Sequence, residues 1–168
     1  MIQKNQKWYK LFEILAEHQN KEFSIRELSE KSKIPSASVQ RYIVEMKKLK
    51  LLDKRNKLIL DSYSKFLKTF YFIEKMHKIG LINHLELSFN ASVIVLFGSV
   101  RKGEYDNESD VDIFIESTKD IELDLKKYET LLGHKIELFV KKSIQELPSH
   151  LYNNVINGIK LSGYLKAK

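Results

Sequence analysis

The spacing of apolar and polar positions divides this chain into a helical first part and a second part that mixes helices with strands. Apolar side chains recur at three- and four-residue steps over residues 7–18, again after Ser24, and again from Ser36 onward. Glu27 follows Ser24 at the three-residue spacing of a capping box, which marks a helix start. Pro35 fixes the backbone just before the third segment. The pattern therefore predicts three helices separated by short turns.

The third helix and the segment after it complete the first part. This helix is expected to bury Val39, Ile43, Met46 and Leu49 on one side. Two short apolar runs then flank the basic stretch 54–57, which predicts a small hairpin with a charged tip. We therefore expect helix, helix, turn, helix and hairpin in the first part.

A longer helix is predicted to connect the two parts. Its apolar and aromatic residues recur at helical steps between positions 62 and 80: Tyr63, Phe66, Leu67, Phe70, Ile73 and Met76. Asp61 or Ser62 can cap its start, and Gly80 can end it. We expect this stripe to be buried, either between domains or in a dimer seam, and we expect residues 80–89 to form another short helix.

Strand patterns characterise the second part. Residues 92–97 form an apolar, β-branched run that is typical of a strand buried on both faces. Residues 110–115 alternate, so Asp110 and Asp112 share one face, and Glu137 stands in a similar alternation. If these strands are neighbours, three carboxylates meet on one patch and repel each other unless divalent cations bind. Oxygen ligands favour Mg²⁺ or Mn²⁺ over Zn²⁺.

A Gly-Ser pair supplies complementary chemistry. Gly98 and Ser99 directly follow the first strand. A glycine lets backbone N–H groups approach an anion, and the serine hydroxyl adds one more donor. A phosphate cradle beside carboxylates that hold two metal ions is what nucleotidyl transfer requires.

The charge distribution separates the same two parts. The chain has a net charge of +7, with 14 Lys and Arg against 8 Asp and Glu in residues 1–61. Residues 62–80 hold 4 against 1, and residues 81–168 hold 11 against 13. The basic first part favours a polyanionic partner such as nucleic acid, with a general bias towards lysine as the alternative.

The first part resembles a winged helix-turn-helix domain of the prokaryotic regulator type. The segment RELSEKSKIPSASVQRYIVEMKKLKLL carries the resemblance, which covers residues 7–61. It implies that the third helix enters a major groove and that phosphate contacts dominate the affinity. Winged helices also serve as protein-binding or dimerisation modules, and this alternative stays open. The predicted nucleic-acid contacts are Ser36, Ser38, Gln40, Arg41, Lys47, Lys54, Arg55 and Lys57.

The second part resembles the DNA polymerase beta-like nucleotidyltransferase superfamily, and most closely its minimal nucleotidyltransferase (MNT) branch. The motif LFGSVRKG...SDVDIFI carries the resemblance, which runs from about residue 82 to the C-terminus. It implies that the catalytic carboxylates Asp110, Asp112 and Glu137 bind the metal ions. The residues that it places at the nucleotide are Gly98, Ser99, Arg101, Lys102 and Ser109.

The expected fold class is α+β. A winged helix-turn-helix domain at 1–61 is joined by a linking helix at 62–80 to a small α/β nucleotidyltransferase domain with a mixed sheet at 81–168. The expected activity is metal-dependent transfer of NMP, most simply AMP, from ATP or another NTP to a hydroxyl of a HEPN-type protein or an RNA. The alternative is a DNA-binding regulator or antitoxin-like protein whose nucleotidyltransferase domain senses nucleotides or is inactive. A homodimer would suit a two-fold DNA site.

Composition argues against several other classes. The chain has no cysteine, which excludes a disulfide framework and thiolate metal sites. No apolar run approaches the ~20 residues that span a bilayer, and the first residues lack the apolar block of a signal peptide. We therefore expect a cytoplasmic protein with no membrane partner. The five histidines have no metal-ligand spacing, and surface or interface positions are expected for them.

Overall fold

The computed structural model describes residues 6–165, which form two compact units that divide between Lys68 and Thr69. The fold class is α+β, as the sequence predicts, because helices make up most of the first unit and a four-stranded sheet lies in the second. Within residues 6–165, no helix is long and apolar enough to cross a membrane. The boundary between the units falls inside one helix, within the segment predicted as a linker.

Three helices open the first unit: α1 (Gln6–Glu17), α2 (Ile25–Ser32) and α3 (Ser36–Lys48). The predicted capping box is present at the start of α2. The Glu27 N–H donates to Ser24 Oγ at 3.1 Å, and the Ser24 N–H donates to the Glu27 carboxylate at 2.8 Å. Pro35 occupies the N-cap of α3. Capping hydrogen bonds therefore fix the start of α2, whereas at α3 the proline restricts the backbone without a side-chain cap.

One prediction for the first unit is wrong: Leu49 is 36% exposed because it lies at the C-cap of α3, beyond its last turn. The predicted small hairpin is present in a short form, in which an isolated antiparallel bridge between Leu52 and Leu58 joins the two apolar runs. The Asp53 carboxylate accepts two backbone N–H groups of the connecting loop at 2.8 and 2.9 Å, which closes the tip.

The connecting helix α4 (Ser62–Lys78) forms as predicted, and its predicted stripe is buried in part within the chain. The Ser64 N–H donates to Asp61 at 2.8 Å at the start of the helix. The buried side of α4 includes Phe72 and Met76, which are 4% and 0% exposed. Leu67 and Met76 of the predicted stripe belong to the buried side, whereas its aromatic positions are rotated about the helix axis from that side. That the stripe packs between domains or in a dimer seam stays a prediction. The exposed aromatic residues are Tyr63, Phe66 and Phe70.

The second unit packs helices against one sheet. Its remaining elements in chain order are α5 (Leu81–Phe89), β1 (Val93–Leu96), α6 (Gly98–Lys102), β2 (Val111–Glu116), α7 (Lys126–Leu132), β3 (Ile136–Lys141), a short 3-10 helix (Ile144–Glu146), α8 (Ser149–Ile156) and β4 (Ile159–Gly163). The strand order is β3-β2-β1-β4. Strands β2 and β3 run parallel, whereas β1 pairs antiparallel with β2 and with β4. The sheet is therefore mixed, as predicted.

The two faces of this sheet are covered by different elements. On one face, Ile113 and Ile115 belong to a core that includes buried residues of α5. On the other face, Phe114 packs in a core with Ile144 and Val155, which come from the 3-10 helix and α8. Because successive residues of a strand point to opposite faces, Asp112 lies on the same face as Phe114. Asp112 is thus placed at the start of β2 on the second face.

Candidate functional site

The register of β2 and β3 brings two of the predicted carboxylates together. Asp112 lies directly opposite Glu137 in the parallel pair. Paired strands are about 4.8 Å apart, so the two side chains leave neighbouring backbones on the same face. Asp110 lies one residue before β2, two positions from Asp112. The two strands are therefore neighbours, which is the condition for the carboxylates to meet on one patch.

Charge interactions connect these three carboxylates. The Asp112 side chain is half-buried, and its burial is the largest cause of a raised pKa. The negative charges of Glu137 and then Asp110 add to this effect, and together the three causes raise the pKa of Asp112 to about 6. A carboxylate patch of this kind gains stability from any nearby positive charge.

The carboxylate oxygens of this patch suit a divalent cation, although the side chains do not form a complete coordination site. Carboxylate oxygens are the ligands that Mg²⁺ and Mn²⁺ prefer. Over residues 6–165, no group of three or more His, Cys, Asp or Glu side chains is gathered closely enough to hold a metal ion. Like charges favour such separation when no cation neutralises them. Asp110, Asp112 and Glu137 are thus the side chains that would hold a cation here.

Gly98 lies against the carboxylate of Asp112. It begins α6 directly after β1, with a φ of 70° in the left-handed region. A Cβ at this position would lie 2.8 Å from Asp112 Cγ and would overlap its carboxylate. The preceding Phe97 N–H donates to the Asp112 carbonyl at 3.0 Å, which fixes the two segments together. Glycine is therefore required here by backbone conformation and by space.

The other residues predicted at the nucleotide occupy α6 and the loop before β2. Ser99 is half-buried in α6, and Arg101 and Lys102 are exposed in its last turn. The Ser109 hydroxyl is engaged within its own loop, where it accepts the Asp106 N–H at 3.0 Å and donates to Asp106 Oδ1 at 3.1 Å. The structure thus places Ser99 beside Gly98, and it gives Ser109 a contact that stabilises the loop.

His134 lies beside this site and is missed by reasoning from the sequence. It is 6% exposed, so the expected surface or interface position is wrong for this histidine. Its Nδ1 lies 2.6 Å from the Ser109 carbonyl oxygen. A single histidine before an apolar run carries no local pattern that reveals burial. Only the packing of the 103–110 loop against the start of β3 brings this contact about.

The predicted nucleic-acid contacts lie on α3 and on the loop that follows it. The exposed members are Ser36, Gln40, Arg41, Lys54 and Arg55, and the half-buried members are Ser38, Lys47 and Lys57. Lys47 Nζ donates to the Lys54 carbonyl at 3.0 Å, and Arg55 pairs with Glu22 at 2.9 Å. These two contacts are intramolecular, and a polyanion would compete with them.

Comparisons with known proteins point to the second unit. The family model described as "Nucleotidyltransferase domain" matches residues 85–161, a range that includes Gly98 and all three carboxylates. A protein of Methanocaldococcus jannaschii with the name "Putative protein adenylyltransferase MJ1379" is 36% identical over 67 residues. That match covers 36% of this chain and 67% of the archaeal protein. No solved structure gives a significant match to the chain.

Proposed function

We propose that this chain, which belongs to the nucleotidyltransferase family, transfers a nucleoside monophosphate from an NTP to a hydroxyl group of a protein. The observation that carries the proposal is the placement of Asp112 opposite Glu137, with Gly98 packed against the Asp112 carboxylate. This arrangement sets an acidic patch beside the turn from β1 into α6, where a bound nucleotide can meet both.

The nucleotide and the acceptor are proposed from the similar archaeal protein. Its name describes a protein adenylyltransferase, which favours ATP as the donor and a protein hydroxyl as the acceptor. A HEPN-type protein is one candidate acceptor that the MNT resemblance supplies. An RNA hydroxyl would require the same bond changes at phosphorus, so the acceptor class is a separate question from the reaction.

The reaction exchanges one bond at phosphorus for another. The acceptor oxygen forms a bond to the α-phosphorus of the NTP, and the bond from that phosphorus to the bridging oxygen breaks, which releases pyrophosphate. The acceptor hydroxyl loses its proton to a carboxylate of the patch. Divalent cations, when bound, would neutralise the negative charge on the phosphates and activate the attacking oxygen.

Each group of residues has a distinct part in this proposal. Asp110, Asp112 and Glu137 would hold the cations, with Asp112 and Glu137 opposite each other in the paired strands. Backbone N–H groups at Gly98 and Ser99 bind phosphate oxygens, and the exposed Arg101 and Lys102 add positive charge near them. Ser109 contributes through its loop, since its hydroxyl is engaged with Asp106.

The first unit is proposed to bind nucleic acid as a winged helix-turn-helix. The order of α1, α2 and α3, followed by a loop closed at the Leu52–Leu58 bridge, supports this proposal. The excess of basic residues in this part of the chain supplies the attraction to phosphates. Binding of this kind would bring the second unit to acceptors that associate with the same nucleic acid.

A second candidate function is a DNA-binding regulator whose second unit senses a nucleotide. One observation favours it: the first part of the chain is basic, with 14 Lys and Arg against 8 Asp and Glu in residues 1–61. A sensor needs the nucleotide to bind and needs no transfer to follow. The two functions therefore differ in whether labelled nucleotide becomes covalently attached to an acceptor.

The test is transfer of label from α-³²P-labelled ATP, CTP, GTP and UTP. Purified protein is incubated with Mg²⁺ or Mn²⁺, with total RNA and with a cell lysate. The inactive control carries Asp110→Asn and Asp112→Asn. A matched control carries Glu108→Gln, which removes one negative charge from an exposed position of the same loop.

The outcomes separate the candidates. The proposed transfer is supported if a protein becomes labelled, if this labelling is lost in the Asp110→Asn/Asp112→Asn variant, and if it persists in Glu108→Gln. Label on RNA with the same dependence keeps the reaction and changes the acceptor. Nucleotide binding without any transferred label, for every nucleotide and both metals, replaces the transferase with the sensor.

A further inference from the structure

His134 is a buried polar side chain at the entry to β3, and the proposed mechanism does not use it. It is 6% exposed, and its ring meets the rings of Phe72 and Tyr105 edge-on, with centroids 5.3 and 5.8 Å apart. Its Nδ1 lies 2.6 Å from the Ser109 carbonyl oxygen. Because a carbonyl oxygen only accepts hydrogen bonds, the proton of this contact is on Nδ1.

The contact partner of His134 is the residue directly before Asp110. A turn from Asp106 to Ser109 ends at this carbonyl, with the Ser109 N–H donating to the Asp106 carbonyl at 3.1 Å. On the other side of Asp110, the Val111 N–H donates to the Lys135 carbonyl at 2.9 Å. The backbone on both sides of Asp110 is therefore tied to two consecutive residues, 134 and 135.

The same two residues lie just before Glu137 on the chain. Residues 134 and 135 lead directly into β3, where Glu137 is the second residue. The ties to Ser109 and Val111 thus join the segment that supplies Asp110 to the segment that supplies Glu137. Of these ties, the one from His134 is made by a side chain, so substitution can remove it without changing the backbone.

We propose that His134 is a positioning residue, which holds the Ser109 carbonyl and thereby sets the Asp110 carboxylate relative to Glu137. This inference rests on the proposed transferase function, because it assigns Asp110 a place in that site. His134 does not touch the nucleotide in this proposal. It acts by limiting the positions that the Asp110 backbone adopts, and so by presenting the carboxylates together.

A purely structural role makes a different prediction from a positioning role. In a structural role, the ring of His134 would matter because it packs between Phe72 and Tyr105. His134→Phe keeps an aromatic ring and removes the Nδ1 donor. His134→Asn keeps an N–H donor on Cγ, at the same distance along the side chain, and removes the ring. The two variants therefore separate the ring from the hydrogen bond.

The experiment compares wild type, His134→Phe and His134→Asn as full-length chains, in three measurements. Label transfer gives kcat and the KM for the NTP, Mn²⁺ titration followed by EPR gives metal affinity, and thermal unfolding reports on folding. Positioning predicts that His134→Phe lowers kcat and Mn²⁺ affinity by about 10- to 100-fold. The positioning role also predicts that the KM of His134→Phe for the NTP stays within about twofold of wild type. In His134→Asn, kcat and Mn²⁺ affinity should both be close to the wild-type values.

Two results would overturn the proposal: His134→Phe binds Mn²⁺ and transfers label like wild type, or His134→Asn loses as much as His134→Phe while folded. If His134→Asn does not fold, long-range ¹H–¹⁵N spectra of the wild-type imidazole give an independent test, since the proposal requires the proton on Nδ1. If wild type transfers no label, the proposed function fails. Mn²⁺ affinity and the imidazole spectrum still decide whether His134 positions the carboxylates.

Discussion

The carboxylate of Asp112 packs directly against Gly98 at the end of the sheet. It fits there because glycine has no side chain. A Cβ on Gly98 would come within 2.8 Å of Asp112 Cγ and overlap the carboxylate itself. The backbone hydrogen bond from Phe97 to the Asp112 carbonyl prevents the two segments from moving apart. The Gly-Ser turn and the acidic patch, which are 14 positions apart in the sequence, are thus one packed unit.

The Gly98→Ala variant tests this relationship. We expect it to lower the free energy of unfolding by about 1–2 kcal/mol, because alanine at a φ of 70° is strained. We expect a larger effect on function, since the Asp112 carboxylate must rotate away from its position. Urea unfolding measures the first effect, and Mn²⁺ affinity measures the second.

Gly133→Ala is the matched control for backbone strain. Gly133 also has a positive φ, of 84°, and a Cβ there meets no atom within 4 Å. We expect Gly133→Ala to lose similar stability and to keep metal binding. Equal metal affinity in the two variants would show that contact with Asp112 does not matter.

The sequence reveals the elements of the site because their patterns are local. Alternation places Asp112 on one face of β2, and the run at 92–97 identifies β1, since burial on both faces leaves an unbroken apolar stretch. The capping box at Ser24 is equally local. Each of these features depends on residues within a few positions of each other, so no knowledge of tertiary packing is needed.

The sequence does not reveal features that depend on distant segments. The burial of His134 follows from the loop that packs on it, 25 residues earlier in the chain. Exposure of Phe66 and Phe70 depends on which side of α4 the rest of the chain covers. The predicted hairpin is short for a local reason: the Asp53 side chain closes its loop with hydrogen bonds to two backbone N–H groups.

The raised pKa of Asp112 predicts a pH-dependent loss of stability in metal-free protein. The pKa of its carboxyl is about 6 in the folded chain, against an ordinary value of 3.8. Between these values the folded state holds more protons than the unfolded state, so this group's contribution to stability falls as pH rises. Above pH 6 the unfavourable charge is fully present.

Asp112→Asn should remove this contribution. We expect the variant to gain about 1 kcal/mol over wild type at pH 7 in EDTA, after allowance for solvent screening of a half-buried group. The gain should shrink towards about pH 4, where wild type is protonated. Urea unfolding across this range measures the difference, with Glu108→Gln as control. A gain that is constant with pH would contradict the stated cause.

The Thr69 hydroxyl contacts backbone carbonyls of α6, so a substitution at Thr69 also tests the site. This buried side chain donates to the Val100 carbonyl at 2.9 Å and also lies 3.2 Å from the Arg101 carbonyl. Thr69→Val keeps the shape and removes the donor. We expect a loss of about 1 kcal/mol in unfolding free energy and a raised KM for the NTP, because α6 carries Gly98 and Ser99.

Thr69→Ser is the control for the methyl group, since it keeps the hydroxyl. We expect it to retain the wild-type KM while losing some packing. Steady-state kinetics with labelled NTP makes the comparison. If both variants raise the KM equally, the methyl group rather than the hydrogen bond positions α6.

Binding of nucleic acid by the first unit should depend steeply on salt. The attraction of its basic residues to phosphates weakens as counterions are added, so log K should fall linearly with log salt concentration. Lys54 is exposed at the loop after α3, and its carbonyl is held by Lys47. We expect Lys54→Ala to reduce the magnitude of the slope of log K against log salt concentration by about 1, because one phosphate contact is lost.

Lys10→Ala provides the matched loss of one positive charge, from an exposed position on α1. Fluorescence anisotropy with duplex DNA over a salt series gives both slopes for the full-length chain. Equal slopes for the two variants would mean that net charge, and not a contact at Lys54, governs binding. A lower slope for Lys54→Ala alone would place the phosphate backbone against the loop after α3, because only a residue in contact with phosphate changes the number of counterions released.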